Sequence, residues 1–577
     1  MKVKYIKPLI AVLFIFNLNT GLAQNFENRK SKTICNPINL NYRYALDAPS
    51  RREAADPVIV TFKNEYYLFA SKSGGYWNSA DLINWGFITS DDLPFEDYAP
   101  TAVVIGDYIY FTASTQKESK KIIYKSSNPK SGKWEIATDA FPFEYPDPEL
   151  FLDDDGRLYL YYGCSDVDPI YAVELNAKTL MPIGNPVVCF YEDTKNNGWE
   201  RPGDDNKSSD KPWTEGASMI KHNNKYYLQY STPGTEYRSY CDGVYVADAP
   251  LGPFRLLENN PFSYRPGGFA TGAGHSGTFK DLYGNYWHIT TSTISVKHKF
   301  ERRLSLYPVF FKDDNAYTYT GFGDYPILIP SEKVTSETGY ASGWMLLSYN
   351  KAVRASSTLN EHEAINAADE DIRTYWSAKT GNKGEWLSID LEKSSNVHAV
   401  QLNFAEHDAG VFGIVPDNYY QYIIEYSEDG KKWNTLIDKS ENTADAPHDY
   451  TELNKAVKAR FLKITNLKTP NGKFAISGFR IFGKQEGKSP KQASGIAVTR
   501  NKSDRCQATI TWKEDKNATG YNVRYGRTPD NLYLNYQLYG TNTVDINSLS
   551  AIGAYYFTVD SFNESGITKG TEIIKAE

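Results

Sequence analysis

The chain of 577 residues is too long for one ordinary domain and allows two to four. Charged residues make up 23% and hydrophobic ones 41%, an ordinary globular stock; with a net charge of −7 and no sustained basic stretch, nucleic acid is excluded as a partner. Aromatic content is the departure, at 14% with 44 tyrosines against 4 methionines, which favours half-buried strands and flat apolar faces with a polar tip.

The first 23 residues read as a targeting segment: basic "MKVKYIK", apolar "PLIAVLFIF", then "NLNTGLA" with a cleavage point after Ala23. The mature chain is expected to be exported, periplasmic or secreted. It is not expected to span a membrane, because no later stretch approaches the roughly twenty apolar residues required. Five cysteines (Cys35, Cys164, Cys189, Cys241, Cys506) are scattered and odd in number, allow two disulfides at most, and match no metal spacing.

Five segments then share one texture, a polar turn followed by tyrosine-rich β residues that end in small or hydroxyl side chains. They are "NEYYLFAS" from 64, "GDYIYFTAS" from 106, "GRLYLYYG" from 156, "NKYYLQYS" from 224 and "GNYWHITTS" from 284. Each spacing accommodates a four-stranded sheet with its loops, so the repeats predict a five-bladed β-propeller. Upstream of these repeats lie Asp56 in "EAADPVIV", Asp147 in "EYPDPELFLDDDG", Glu215 in "WTEGASM" and His275 in "GAGHSGTF", each ten to twelve residues before an equivalent tyrosine. A fixed offset predicts a fixed place in each blade and convergence on one end of the axis. Paired carboxylates there suit glycoside hydrolysis, which needs one carboxylic acid and one carboxylate across the scissile bond.

"ADPVIVTFKNEYYLFAS", "SADLINW", "DYAPTAV", "PDPELFLDDDGRLYLYYG", "WTEGASM", "GAGHSGTF" and "ERRLSLYPV" resemble, in order, the signatures of glycoside hydrolase family 43. The resemblance runs from about 45 to 333 and implies an inverting O-glycosidase on a five-bladed propeller. By motif match it implies Asp56 as general base, Glu215 as general acid and Asp147 as the residue that raises and orients that acid. Tyr98 stands where the family often has tryptophan and is expected to shape a subsite wall. An α-L-arabinofuranosidase or β-D-xylosidase acting on plant-type polysaccharide side chains is the activity implied first. An exo-β-galactosidase is a competitor, and a non-catalytic carbohydrate-binding propeller is the alternative of another class.

The residues argue part of this themselves. Burial beside Trp213 with a second carboxylate nearby would keep Glu215 protonated near neutrality. Asp56 opens its strand beside Pro57, whose ring fixes the local backbone. Against that, Asp-Pro pairs commonly start turns, so Asp56 or Asp147 alone reads as structural. His275 is either a core histidine or one that lines the sugar or a central ion. Trp199 and Trp213 either pack or bind substrate, and Arg302 either pairs with axial acids or is a surface charge. Asp153, Asp154, Asp155 and Gly156 read as a solvated hairpin turn and take no metal.

Residues 338–485 alternate strands and polar turns as a β-sandwich, and "VRASSTLNEHEAINAADEDIRTYW" with Trp376, Trp386 and "IDL" resembles the discoidin, or factor 5/8 type C, domains. That resemblance implies a calcium site near "NAADEDIRTYW", although Gly478 replaces the usual acidic ligand. No cofactor is required, and calcium in the propeller centre or in this domain is left open. After the linker "KQEGKSPKQASG", residues 492–577 resemble a fibronectin type III sandwich. The expected fold is therefore all-β: a targeting segment to 23, a propeller over 24–335, and two β-sandwiches. Every proposed catalytic residue precedes 335, so a chain ending there is expected to hydrolyse a small aryl glycoside, with an oligo- or polysaccharide as the natural partner.

Overall fold

The computed structural model describes residues 32–94, 98–114 and 121–577, so the targeting segment 1–23 lies outside the described residues. Regular structure among the described residues is β-strand, apart from four single-turn 3₁₀ segments. Five antiparallel sheets, each built on four consecutive strands, start at Val58–Phe62, Tyr98–Ile105, Glu149–Leu152, Glu215–His222 and Thr271–Lys280. We call them blades I to V. Their first strands touch in cyclic order, I to II to III to IV to V and back to I, which closes the ring. The tyrosine-rich repeats form the second strands: Glu65–Phe69, Tyr108–Ser114, Leu158–Tyr162, Lys225–Thr232 and Tyr286–Thr293. Both faces of such a strand meet neighbouring blades, so most of the rings bury; Tyr66, Tyr159, Tyr161 and Tyr227 are all 2% exposed or less, while Tyr108, Tyr110 and Tyr286 are half-buried.

Ring closure recruits the N-terminal segment. Lys32–Ile34 pairs with Ile327–Ile329 beyond blade V, and Ile34, Ile38, Leu40 and Tyr42 pack with Trp77 of blade I and Trp287 of blade V. The acidic turn after blade III's first strand is only partly solvated. Asp153 is buried, accepting from Lys221 and from the Tyr226 hydroxyl at 2.6 Å, while Asp154 and Asp155 are exposed.

In the second unit two long strands, Trp386–Phe404 and His448–Lys468, bend at register shifts and enclose a core of Trp376, Leu402, Ile464, Phe474 and Phe479. The third unit packs a three-stranded sheet, Ser494–Arg500 with Ala508–Lys513 and Thr543–Ile546, against a five-stranded one centred on Gly520–Gly526 and Tyr555–Asn563. The predicted linker is shorter than expected, since its ends belong to the strands Ala475–Gln485 and Ser494–Arg500. All five cysteines are free thiols.

The second unit is welded to the propeller through buried charge. The Arg52 side chain is fully buried, with Nε 2.6 Å from Glu406 and a two-pronged bond to Asp445 at 2.7 and 2.8 Å. Arg303 donates to His448 Nε2 at 2.9 Å, and burial beside two arginines keeps that imidazole neutral. Arg480 clasps Glu370 at 2.8 and 2.9 Å and donates to the Asp324 carbonyl at 2.7 Å. The acids of the segment that resembles a calcium site are engaged as well. Glu370 is held by Arg480, Asp371 reaches across to Arg238 at 2.7 Å, and Asp369 accepts from Thr374, so these acids face different partners and do not fit one shared cation. Gly478 is glycine for a packing reason: a Cβ there would meet the Phe269 ring of the propeller at 2.8 Å.

The interfaces change the expectation for a chain ending at 335, which would strip Arg52 of both acids. A milder test is Glu406→Ala, leaving Arg52 with the partly solvated Asp445. Breaking a buried pair from one side costs about 3–5 kcal/mol, and we expect a clearly lower Tm in a thermal melt, with Glu406→Gln losing less.

A candidate active site at one end of the propeller axis

Each first strand has a residue in the left-handed region, either just before it or at a register shift within it. These are Asp56 (φ 53°), Ala99 (46°), Asp147 (48°), Gly216 (60°) and His275 (42°). Side chains there are strained by about 1–3 kcal/mol and persist only where the surroundings over-determine them. The restraint is visible. A hydroxyl at the end of the preceding blade's second strand accepts the amide N–H of four of the five. Thr291 takes Asp56 (2.9 Å), Ser71 takes Ala99 (2.7 Å), Ser114 takes Asp147 (2.6 Å) and Ser231 takes His275 (2.6 Å). Ser71, Ser114 and Ser231 are the residues that close their repeats in the sequence, and Thr291 stands one before the end of the fifth. Blade III offers Gly163 there instead, and the Asp147 carboxylate itself takes the Gly216 N–H.

Glu215 is therefore not equivalent to Asp56 and Asp147. It stands one residue earlier, paired with Ser231 ahead of a β-bulge, in the register that Tyr98 holds opposite Ser114 in blade II. Gly216 fills the equivalent position because a Cβ would strike His275 Cγ and Ser231 Oγ at 2.8 Å.

The four predicted groups converge. His275 Nδ1 lies 3.3 Å from Asp56 Oδ1 and 3.7 Å from Asp147 Oδ2, bridging the two. Donor atoms of Asp147, Cys164 and Glu215 lie within 4.8 Å of one another. Two acids and a thiol do not match calcium's preference for six to eight oxygens. Asp56 accepts from Ser71 at 2.5 Å and from Arg302 at 3.3 Å. Glu215 accepts from the buried Tyr240 hydroxyl on one oxygen and from the Cys164 thiol at 3.4 Å on the other.

Their protonation is driven apart. Burial would raise Asp56, but His275, Arg302 and the Ser71 hydroxyl reverse it and hold the group below its ordinary value. Burial and then the charge of Asp147 push Glu215 up to about 7, against the pull of His275 and Tyr240. Burial likewise raises Asp147, with Asp56 adding to it and His275 opposing. For His275 burial alone would favour the neutral ring, yet Asp56, Asp147 and Glu215 raise its pKa, favouring a cation among the acids. The site thus offers one group that can give a proton at neutral pH and another that can take one.

Three expectations need correction. Trp199 is not a substrate residue, being 1% exposed and packed into the core shared with the third unit, where Gly198 N–H bonds the Leu549 carbonyl. Arg302 is neither on the surface nor free for sugar. It is 4% exposed, bonds Glu53 at 2.9 Å, and stands behind Asp56. Trp213 is 46% exposed, so Tyr240, Cys164 and the neighbouring acids enclose Glu215 instead. Tyr98 is half-buried, its ring 4.4 Å beneath the Lys72 ammonium. Residues that the sequence did not reveal include Glu53, Tyr240 and Glu149. Glu149 bonds Thr101 at 2.9 Å, and burial raises it to about 8. Tyr240 reaches Glu215 only because position 274 is glycine, where a Cβ would meet the ring at 2.8 Å.

Residues 50–317 match the model of the glycosyl hydrolases family 43. The propeller is similar to that family. It is an inverting O-glycoside hydrolase domain, and residues 352–478 behind it match the F5/8 type C domain. The β-D-galactofuranosidase xynD of Aspergillus niger is 24% identical over 263 residues, covering 39% of this chain and 69% of its own. Among solved structures, the Bacteroides ovatus xyloglucan-locus protein GH43B aligns over 94% of this chain and 98% of its own, with 14% identity and a TM-score of 0.41. The family 43 protein BlXynB from Bacillus licheniformis covers 78% of this chain and 98% of its own, with 15% identity and a TM-score of 0.39.

The electrostatics of this hydrolase give a signed pH test. With Glu215 near 7, kcat/KM should fall on an alkaline limb about there. Asp147→Asn removes a neighbouring negative charge, so Glu215 ionises more easily and the limb should move to lower pH. Substrates with poor leaving groups should suffer most. A purely structural Asp147 would instead lower Tm and leave the limb in place.

Proposed function

We propose that the enzyme is an exported, exo-acting glycosidase that removes terminal α-L-arabinofuranosyl or β-D-xylosyl units from side chains of plant-type polysaccharides. In this reading Asp56 is the general base that activates water, Glu215 the general acid that protonates the leaving oxygen, and Asp147 the neighbour that keeps Glu215 protonated. His275 holds Asp56 and Asp147 in place, with Tyr98 and Trp213 at the sugar. The observation that carries it is the split protonation of Asp56 and Glu215 at one end of the axis. A binding protein would gain nothing from a carboxyl raised to about 7 beside another held ionised. Inversion asks for carboxyls about 6.5–9.5 Å apart with a water between. The third unit, 492–577, we read as a fibronectin type III-like module.

A panel of aryl glycosides tests the substrate: α-L-arabinofuranoside, β-D-xyloside, β-D-galactopyranoside and, given the relative from Aspergillus niger, β-D-galactofuranoside. Arabinofuranoside or xyloside should be turned over fastest, and preference for either galactoside would replace the proposed sugar. Asp56→Asn and Glu215→Gln should each cost about 10²–10⁴-fold in turnover while the protein stays folded. Proton NMR of the first-formed product should show the inverted anomer.

A further inference from the structure

Away from the catalytic end, a cleft of about 280 Å³ opens where the three units meet. Its walls come from the exit of blade V, from the connection into the second unit, and from the outer face of the third unit's larger sheet. That face is set by strand alternation. Along Gly520–Gly526 the residues Tyr521, Val523 and Tyr525 enter the sandwich core, so Asn522 and Arg524 turn outward.

The lining has three properties that together describe a ligand. Aromatic rings are held in fixed poses. Tyr340 is edge-on to Trp287 at 4.9 Å, Trp344 is stacked on His398 at 4.9 Å, and Tyr319 and Phe322 are half-buried beside them. A buried acceptor faces them, since Asn522 is 2% exposed and its Oδ1 has no hydrogen-bond partner in the protein. Leaving such an atom unpaired is costly. Finally, charge is balanced. Arg524 is clasped by Asp560 at 2.7 and 2.9 Å, Lys569 lies 3.5 Å from the same carboxylate, and exposed Glu337 stands at the rim. An anion finds no free cation here. What fits flat rings, an unpaired buried acceptor and neutral surroundings is a neutral polyhydroxylated ring, whose C–H face lies on an aromatic and whose hydroxyl donates to Asn522. At about 30 Å³ per water of liquid volume, the cleft has room for a sugar ring of roughly ten non-hydrogen atoms.

We propose that this junction cleft is a second, non-catalytic saccharide site that holds a pentose or hexose unit of the polysaccharide while another chain end is cleaved. The choice of sugar rests on the proposed function; the existence of the site does not. Sited at three units, it would also gain affinity for long chains through simultaneous engagement with the active site.

The test uses the full chain carrying Glu215→Gln, so that ligand is not consumed, titrated calorimetrically with arabinotriose and with xylotriose. Two sites are expected. In that background Asn522→Ala, and separately Thr338→Trp at the exposed mouth, should weaken one site about tenfold, the order of one hydrogen bond or one stacked ring, and leave the other unchanged. In the otherwise unaltered enzyme neither substitution should change kcat/KM on an aryl glycoside, while both should reduce retention on insoluble polysaccharide. A single site, or two sites indifferent to both substitutions, would overturn the proposal. Should Asn522→Ala fail to fold, the surface substitution at Thr338 decides alone. Loss of aryl glycoside turnover across the panel would instead strike the proposed function and leave this binding result standing.

Discussion

The arrangement of the catalytic end depends on one small interaction repeated round the ring: a hydroxyl at the end of one blade taking the amide N–H of a left-handed residue that begins the next. The left-handed turn aims the side chain at the axis where an ordinary β residue would point from a face of the sheet toward a neighbouring blade. Because the tie runs between blades, it sets the position of Asp56 against blade V and of Asp147 against blade II, so the reactive groups are located by the whole ring. The one blade lacking the hydroxyl is where the pattern breaks usefully. There the Asp147 carboxylate substitutes for it, and Glu215 enters from one residue earlier. Two carboxylates are thus brought close while only one of them lies in the common register.

Around these acids the protein places cations unevenly. Arg302 stands behind Asp56 and His275 bridges Asp56 and Asp147, while Glu215 has only neutral donors, a phenol and a thiol. The difference in partners, more than any difference in burial, holds the Asp56 carboxyl below its ordinary value and leaves Glu215 above it. It is the familiar division of labour between paired carboxylates, built from neighbours.

Much of this was legible in the sequence because it is periodic. The five tyrosine-rich repeats became second strands, and Asp56, Asp147, Glu215 and His275 met at one end. Even the serines and threonine at or next to the ends of the repeats were visible as a texture, though their work on the next blade's amide was not. What stayed hidden was set by tertiary contact. Tyr240 touches Glu215 only through the gap left at Gly274, and Glu53 matters only because Arg302 returns from blade V. Trp199 reads like a sugar platform, but the third unit covers it. Gly478 looks like the loss of a metal ligand and is instead room for Phe269. An aromatic or a glycine carries no label for what will press against it.

Residues 52 and 53 are adjacent in the chain and face opposite ways: Arg52 into the acids of the second unit, Glu53 toward Arg302 and so toward Asp56. The recombination of modules is therefore constrained at this seam. A propeller grafted onto another partner would need a matching pair of acids at the Arg52 socket, or it would carry an unneutralised charge one peptide bond from the residue that braces Arg302 and Asp56. A unit that looks like an appendage in a domain diagram is in this respect a counter-ion, and it can be exchanged only together with the stretch of propeller that it neutralises.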